Sequence, residues 1–259
     1  MSSAPKKIAA CLLLASTSLI LGCHDGHKKP RSWTILHTAV VDQDLSEVER
    51  CIAEGVDINA MDEYGRTPLR WAARYGNVDI AKALIAHGAD TNDGSLAQAV
   101  AARHRPMVDL LLSNRAIAGG SPLVQAAMYG NVELARLLID KGADVDAKGV
   151  ELNSEEPAIT DCARYGETPL WAACGPGHLE VIRLLLEQNA DVNIKSRYGY
   201  PLGRAAEYGH RAIVVLLLAR AAKTDAKNTA GKTAAQLADE NGHKDIGDII
   251  RGAENKSKS

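Results

Sequence analysis

The fold is decided by the stretch DEYGRTPLRWAARYGN at residues 62–77, which is followed by IAKALI at 80–85 and GAD at 88–90. Thr67 can accept a hydrogen bond from the first turn of a helix, and Pro68 suits that turn because proline has no backbone N–H to satisfy. The next residues form an apolar stripe at helical spacing: Leu69, Ala72 and Ala73. The stretch therefore predicts a helix, a turn and a second helix that ends near the glycine of GAD.

The same pattern recurs along nearly the whole chain. Its marker leucine stands at positions 36, 69, 96, 123, 170 and 202, and an alanine takes its place at 235. Successive markers are 33, 27, 27, 47, 32 and 33 residues apart. Because one such helix pair cannot bury its apolar face alone, the units must stack on one another. The spacing predicts seven stacked copies, with shortened loops around the third and an insertion after the fourth.

These motifs resemble the ankyrin repeat, whose period is about 33 residues. The Thr-Pro-Leu start is intact at 67–69 and 168–170, and it is changed to Ser-Pro-Leu at 121–123 and to Tyr-Pro-Leu at 200–202. The resemblance implies an all-α solenoid of about seven helix-turn-helix repeats joined by short β-hairpin loops. It also implies a protein that binds other proteins and catalyses no reaction.

The repeat domain is expected to span residues 33–253. Its copies are assigned to residues 33–60, 61–92, 93–118, 119–147, 162–194, 195–227 and 228–253. The third copy is expected to be the least stable, because its loops are short and RHRP at 103–106 stands where other copies have a glycine turn. Residues 254–259 are predicted to form a disordered tail.

An insertion of about residues 148–161 separates the fourth and fifth copies. It is acidic and contains Glu151, Glu155 and Glu156. Insertions in repeat arrays map to one face, which is often the binding face. A surface loop also tolerates extra length at little cost in free energy. The insertion is therefore either part of a binding surface or a neutral loop.

The first residues have the pattern of a secretory signal. Lys6 and Lys7 precede an apolar run of 14 residues, which is too short for a membrane-spanning helix because a span needs about 20. The sequence ILGC at 20–23 resembles the bacterial lipobox. The resemblance implies a signal peptide at 1–22 and a lipid on Cys23. The alternative is an ordinary signal peptide that contains a cysteine.

The lipobox resemblance also implies a location. Residues 23–32 would form a tether between the lipid and the repeats, and the chain would lie in the bacterial cell envelope facing the periplasm. His24 rather than an aspartate follows Cys23. By the sorting rule of enteric lipoproteins, this favours the outer membrane over the inner one.

Composition and motifs argue against several kinds of function. The formal net charge is −2 and becomes −4 when Lys6 and Lys7 leave with the signal, so we expect neither nucleic-acid binding nor electrostatic attraction to a membrane. The sequence has no HExxH, no paired CxxC, no glycine-rich phosphate loop and no serine nucleophile elbow. We therefore expect no enzyme activity, cofactor, metal or small-molecule substrate, and contact with the membrane only through the lipid.

Tyrosine and arginine mark the candidate binding surface. The chain has seven tyrosines and no phenylalanine, and six of the tyrosines precede a glycine. They fall at the loop tip and at the end of the first helix, two places that the ankyrin resemblance assigns to the concave side. Tyrosine and arginine are enriched in interface hot spots, where tyrosine offers a large contact area at low entropic cost. The alternative is that these tyrosines only pack on the next repeat.

The candidate partner-binding residues come from these two places, from neighbouring side chains and from the insertion. They are Tyr64, Arg66, Arg70, Trp71, Arg74, Tyr75, Met128, Tyr129, Glu151, Glu155, Glu156, Arg164, Tyr165, Trp171, Arg197, Tyr198, Tyr200, Arg204, Glu207 and Tyr208. A partner protein held in the concavity would contact the helix ends and the insertion together.

Three classes of function compete for such a chain. Its layout is similar to that of lipid-anchored ankyrin immunity proteins encoded beside secreted phospholipase toxins, which implies an inhibitor that neutralises a toxin in the periplasm. The alternative in the same compartment is a scaffolding lipoprotein that supports an envelope enzyme or assembly. The third class, an enzyme, has no supporting motif. A toxin or lipase encoded next to this protein would favour the inhibitor.

Overall fold

The computed structural model describes residues 33–149 and 166–258, and within these ranges fourteen helices form seven consecutive pairs. We call the first helix of each pair inner and the second outer. The inner helices are α1 Ile35–Val41, α3 Pro68–Tyr75, α5 Ser95–Ala101, α7 Ser121–Met128, α9 Pro169–Cys174, α11 Pro201–Glu207 and α13 Ala234–Glu240. The outer helices are α2 Leu45–Ala53, α4 Val78–Ala86, α6 Arg105–Ser113, α8 Val132–Asp140, α10 Leu179–Glu187, α12 Arg211–Ala219 and α14 Lys244–Lys258. The described loops contain turns and no strands.

Threonine starts the inner helix in four of the copies. The side chains of Thr34, Thr67, Thr168 and Thr233 each accept a hydrogen bond from the backbone N–H three residues further on. Proline stands in the first turn of α3, α7, α9 and α11. These local signals depend only on neighbouring residues, which is why the sequence alone located the starts of the helices.

The core is a continuous layer between the inner and outer helices. Each inner helix packs against its own outer helix and against the inner helices of the neighbouring copies. Fully buried leucines such as Leu69 and Leu170 alternate in this layer with fully buried alanines such as Ala72 and Ala173. The alanines let the helices approach closely and the leucines fill the space between them. Each copy is therefore stabilised by its neighbours.

The third copy has the shortened loops that its spacing indicates. Helix α5 begins at Ser95, directly after a turn at 91–94. Arg103 takes the position of the missing glycine, and its φ of 59° lies in the left-handed region. The Arg103 guanidinium donates a hydrogen bond to the carbonyl of Tyr129 in the next copy at 2.9 Å. The turn is thus formed without glycine, with backbone strain as the cost.

The two ends of the undescribed internal stretch lie together. The Gly149 N–H donates a hydrogen bond to the carbonyl of Glu167 at 3.0 Å. Residues 149 and 167 are therefore paired directly, just before α9.

At the C-terminus the structure differs from the expectation of a disordered tail. Helix α14 continues to Lys258, through residues 254–258. Glu254 and Lys256 are good helix formers, so they extend a helix that is already nucleated by its packing on α13. None of the described helices is both long and apolar enough to cross a membrane.

Candidate protein-binding surface

The inner helices present one side of the array, which we call the inner face. It is defined by four positions in each inner helix and at its end, those of Arg70, Trp71, Arg74 and Tyr75 in α3, which share a face because residues three or four apart are neighbours on a helix. The equivalent positions in the fourth to sixth copies include Val124, Gln125, Met128, Tyr129, Trp171, Ala172, Gly175, Arg204, Glu207 and Tyr208.

A buried aspartate organises the second copy. The carboxylate of Asp62 accepts hydrogen bonds from Arg66 Nε at 2.9 Å and from Trp71 Nε1 at 3.1 Å. Its other oxygen accepts the backbone N–H groups of Tyr64 and Arg66, both at 2.9 Å. The Arg66 guanidinium lies 4.5 Å from the centre of the Tyr64 ring and 4.2 Å from that of Trp71. The charge of Arg66 is thus neutralised within the protein.

Aromatic rings extend this cluster along the inner face. The ring centre of Trp71 lies 5.2 Å from that of Trp33 and 5.9 Å from that of Tyr75, which is stacked on it. The Arg74 guanidinium lies 5.8 Å from the same Trp71 ring. Trp71 is therefore a buried support that holds two half-buried side chains, Tyr75 and Arg74, at the surface.

A second arginine cluster lies between the fifth and sixth copies. The Arg204 guanidinium is 4.3 Å from the ring centre of Trp171 and 4.7 Å from that of Tyr208. Trp171 is also stacked on Tyr198, at 6.0 Å between ring centres. The side chain of Arg204 is 21 % exposed, and its ion pair with Glu207 is long, with 3.9 Å between nitrogen and oxygen.

The two clusters flank an apolar centre. Val124, Met128 and Ala172 form a small cluster of buried side chains that is separate from the main core, and Tyr129 packs against it. These residues belong to the fourth and fifth copies, between Trp71 on one side and Arg204 on the other.

Histidines fix the backbone beneath the tyrosines. His104 Nε2 lies 3.1 Å from the carbonyl oxygen of the residue before Tyr75, and His178 Nε2 lies 2.9 Å from that of the residue before Tyr129. Because a carbonyl only accepts, each Nε2 carries the hydrogen. Burial lowers the pKa of His178, which favours the neutral ring. Each histidine thereby ties the end of one inner helix to the next described copy.

The structure separates the candidate residues by exposure. Five are buried, at no more than 8 % exposed: Arg66, Arg70, Trp71, Met128 and Trp171. The half-buried ones are Tyr64, Arg74, Tyr75, Tyr129, Tyr200, Arg204, Glu207 and Tyr208, and the exposed ones are Arg197 and Tyr198. The remaining predictions lie outside the described residues: Cys23, Glu151, Glu155, Glu156, Arg164 and Tyr165. The buried set shapes the inner face, and the other described residues form the surface that a partner can reach.

Two residues that shape the inner face were missed by sequence reasoning. Asp62 is the buried acceptor for Arg66 and Trp71, and the available signal was an acidic residue four positions before an arginine. Gln125 stands at the position of Trp71 and is 3 % exposed. Its Oε1 is buried and has no hydrogen-bond partner in the part of the chain that the structure describes. Aligning the copies would have placed Gln125 on this face.

Comparison with protein families and solved structures gives one consistent result. A family model described as ankyrin repeats in three copies matches residues 8–95 and 149–228, and a model of the single ankyrin repeat matches residues 118–150. The crystal structure of the human ASB11 ankyrin repeat domain is similar, with a TM-score of 0.63 and 25 % sequence identity. The similarity covers 84 % of this chain and 98 % of that domain.

Similar curated proteins share only part of their length with this chain. An ankyrin repeat protein of Fowlpox virus (strain NVSL) is 28 % identical over 128 residues, which is 46 % of this chain and 19 % of the viral protein. The Neurogenic locus Notch protein of Drosophila melanogaster is 35 % identical over 118 residues, 40 % of this chain and 4 % of Notch. The palmitoyltransferase AKR1 of Lachancea kluyveri is 48 % identical over 56 residues, 21 % of this chain and 8 % of the enzyme.

Proposed function

The chain belongs to the ankyrin repeat family, and we propose that it binds another protein along the inner face without catalysing a reaction. Ankyrin repeats are in general protein-interaction modules. The observation that carries the proposal is that half-buried tyrosines and arginines on this face are already held in place by other aromatic rings. Tyr75 is stacked on Trp71, and Arg204 lies between Trp171 and Tyr208.

Side chains that are already ordered before a partner binds favour high affinity. A side chain that is already held in one conformation loses little entropy when a partner arrives. Trp71 is fixed by the hydrogen bond to the fully buried carboxylate of Asp62, and it supports Tyr75 in turn. Between the clusters, the half-buried Tyr129 packs against the buried Val124 and Met128, which hold it in place. Aromatic anchors and arginine are enriched in interface cores.

For the partner we propose a toxin that acts in the periplasm, such as a phospholipase effector, which this protein binds and blocks. The support is the sequence ILGC at 20–23, which resembles a lipobox, together with the similarity of the layout to lipid-anchored immunity proteins. Lipid on Cys23 would hold the array at the periplasmic side of the outer membrane, provided that more than one acyl chain is attached. An inhibitor placed there would meet a lipid-degrading toxin where it acts.

The activity of a captured partner distinguishes an inhibitor from a scaffold. Lipid-free protein that begins at His24 is used to capture proteins from envelope extract, and the captured protein is identified by mass spectrometry and purified. Its hydrolytic activity is then measured with and without an equimolar amount of this protein. We expect the activity to fall to background in the complex. A stable complex with full activity would support the scaffolding lipoprotein instead.

A further inference from the structure

The two stacked arginines of the array differ in how their charge is balanced. Arg66 lies on two aromatic rings and forms a 2.9 Å ion pair with Asp62, whose side chain has no exposed surface. Arg204 lies on two aromatic rings at similar distances. Within the described residues it forms a long ion pair with the half-buried Glu207, at 3.9 Å. The charge of Arg66 is compensated within the protein by Asp62, whereas Arg204 lacks a close carboxylate in the described structure.

Because Arg204 is partly buried, the lack of a close carboxylate has a cost in free energy. The Nε atom of Arg204 is buried and has no hydrogen-bond partner in the described ranges. A charged group that is withdrawn from water is costly unless a charged partner and hydrogen bonds compensate for it. The Arg204 side chain as a whole is still 21 % exposed, so a group from another molecule can reach it. Stacking on Trp171 and Tyr208 also fixes the plane in which its N–H groups point.

Gly175 makes room for this arginine. It occupies the position that holds Arg74 in the second copy and Met128 in the fourth. A Cβ built on Gly175 would lie 2.8 Å from Arg204 Nε, closer than real contacts allow. The φ of Gly175 is −65°, which any residue adopts. The absence of a side chain at 175 therefore serves the placement of Arg204 and not the backbone.

In the first six copies the inner helices carry a net positive charge and the outer helices carry a net negative charge. The inner helices α1 to α11 contain three arginines and one glutamate: Arg70, Arg74, Arg204 and Glu207. The outer helices α2 to α12 contain eight acidic and six basic residues. The chain as a whole has a formal net charge of −2. A partner drawn to the inner face is therefore expected to present negative charge.

We propose that the partner protein presents the carboxylate of an aspartate or glutamate side chain to Arg204, at the boundary between the fifth and sixth copies. This inference rests on the proposed binding of a protein to the inner face. A carboxylate can accept two N–H groups of one guanidinium in a single plane, which lysine cannot reproduce. The partner's acidic residue then takes the role that Asp62 has beside Arg66.

The first step of the test identifies the partner through the inner face itself. The photoreactive residue benzoylphenylalanine replaces Ala102, the equivalent of Tyr75 in the third copy, in the full-length protein in cells. A second variant carries it at Val215, which is 49 % exposed on the outer helix α12. A specific crosslink at Ala102 identifies the partner for the measurements that follow. Crosslinking from Val215 alone, or from neither site, would overturn the proposed inner-face binding and the inference with it.

The second step measures affinity for that partner. We expect Arg204→Gln to weaken binding by about thirtyfold, in the range of an interface hot spot. Arg204→Lys should restore little of it. Gly175→Ala should weaken binding by about tenfold because its Cβ displaces Arg204, while the melting temperature stays near that of the wild type. The matched control is Arg183→Gln, an exposed arginine of α10 with a 3.7 Å ion pair to Glu180, and it should change affinity less than about twofold.

Charge reversal completes the test. Each acidic residue of the partner near the crosslink is changed to arginine and combined with Arg204→Glu. One such pair should recover at least about tenfold of the lost affinity. If the partner crosslinks at Ala102 but Arg204→Gln binds within twofold of the wild type, or if no reversed pair restores binding, the carboxylate contact is refuted while inner-face binding stands.

Discussion

Single residues after the outer helices show how the backbone, apart from packing, contributes to stability. Gly142 follows α8 with a φ of 87°, and Ala221 holds the equivalent position after α12 with a φ of 61°. A Cβ on Gly142 would meet no atom within 4 Å. The two positions therefore differ mainly in backbone strain. An L-residue in this region costs about 1–2 kcal/mol, and the greater freedom of glycine in the unfolded chain offsets about half of that.

From this difference we predict opposite effects of two reciprocal substitutions. Ala221→Gly should raise the free energy of unfolding by about 0.5–1 kcal/mol, and Gly142→Ala should lower it by a similar amount. Urea unfolding followed by circular dichroism measures both. The same sign of change for the two variants would contradict the assignment of strain to the left-handed backbone.

Asp146 stands in the fourth copy where Asn193 stands in the fifth, at a position whose side chain connects the loops of successive copies. The side-chain amide of Asn193 donates to the carbonyl of Ala221 at 3.2 Å and accepts the N–H of Lys223 at 2.9 Å. Asp146 accepts the N–H of Asp191 at 3.1 Å, but an ionised carboxylate has no hydrogen to donate. Burial, together with the charges of Asp191 and Asp144, raises the pKa of Asp146.

The raised pKa of Asp146 determines how its contribution to stability changes with pH. The folded state disfavours the charged form, so the stability that the protonated carboxyl contributes is full below the unfolded pKa and is lost as pH rises through the folded pKa. At pH 7 the charge is unfavourable. Asp146→Asn should therefore stabilise the protein by about 1 kcal/mol at pH 7 and by less near pH 4. A loss of stability at pH 7, or a gain that does not depend on pH, would refute this account.

At the scale of the repeat element, the third copy differs from the later copies in the turn between its two helices, where those copies have Gly130, Gly177, Gly209 and Gly242. Gly94, which precedes α5, has no side chain that could accept a hydrogen bond from the helix, and Arg103 holds a strained left-handed conformation. The carboxylate of Asp93 compensates in part, since it accepts hydrogen bonds from the hydroxyl groups of Thr67 and Ser95.

We predict that the third copy opens more readily than the later ones. Native-state hydrogen exchange should show faster exchange for the helices within residues 93–118 than for those within 169–218. The difference should persist at several pH values, because it arises from local unfolding and not from intrinsic exchange chemistry. Equal protection of the two regions would contradict this prediction. It would mean that the hydrogen bonds of Arg103 and Asp93 compensate fully for the missing glycine turn.

Most of the elements could be predicted because their signals are local. Thr67-Pro68 and the apolar spacing that follows depend on a few neighbouring residues, and the family match confirms the repeats. The extension of α14 to Lys258 was not predicted, because residues 254–258 carry no apolar pattern and only weak intrinsic preferences favour the helix. Whether a short polar segment forms a helix depends on the element that it continues.

At the scale of the whole molecule, the sequence indicated which residue types form the inner face but not how they are arranged. Tyrosines and arginines at repeated positions were visible in the sequence. The contact of Trp33 with Trp71 and the pairing of Arg204 with Trp171 each join two copies, so they depend on how the copies stack. Residues that contact each other across two copies are not separated by a fixed number of positions in the sequence, because the steps between copies range from 27 to 47 residues.

The proposed attachment to the membrane gives a prediction for the whole chain. Cys23→Ser removes the thiol that would carry the lipid, so the protein should move from the membrane fraction to the soluble fraction when cells are fractionated. In wild-type cells it should sediment with outer-membrane markers. Unchanged sedimentation of the Cys23→Ser protein would exclude a lipid on this residue as the anchor.

The central claim is that the inner face binds a protein partner, and the affinity of a double tyrosine variant tests it most directly. Tyr129 and Tyr208 occupy equivalent positions on the fourth and sixth copies. Tyr129→Ala combined with Tyr208→Ala should weaken partner binding by about 2–4 kcal/mol in calorimetry, the range of interface hot spots. Val215→Ala on the exposed surface of α12 should leave affinity unchanged. Unchanged affinity of the double variant, with its melting temperature near that of the wild type, would contradict the claim and move the binding site to the outer helices or to the ends of the array.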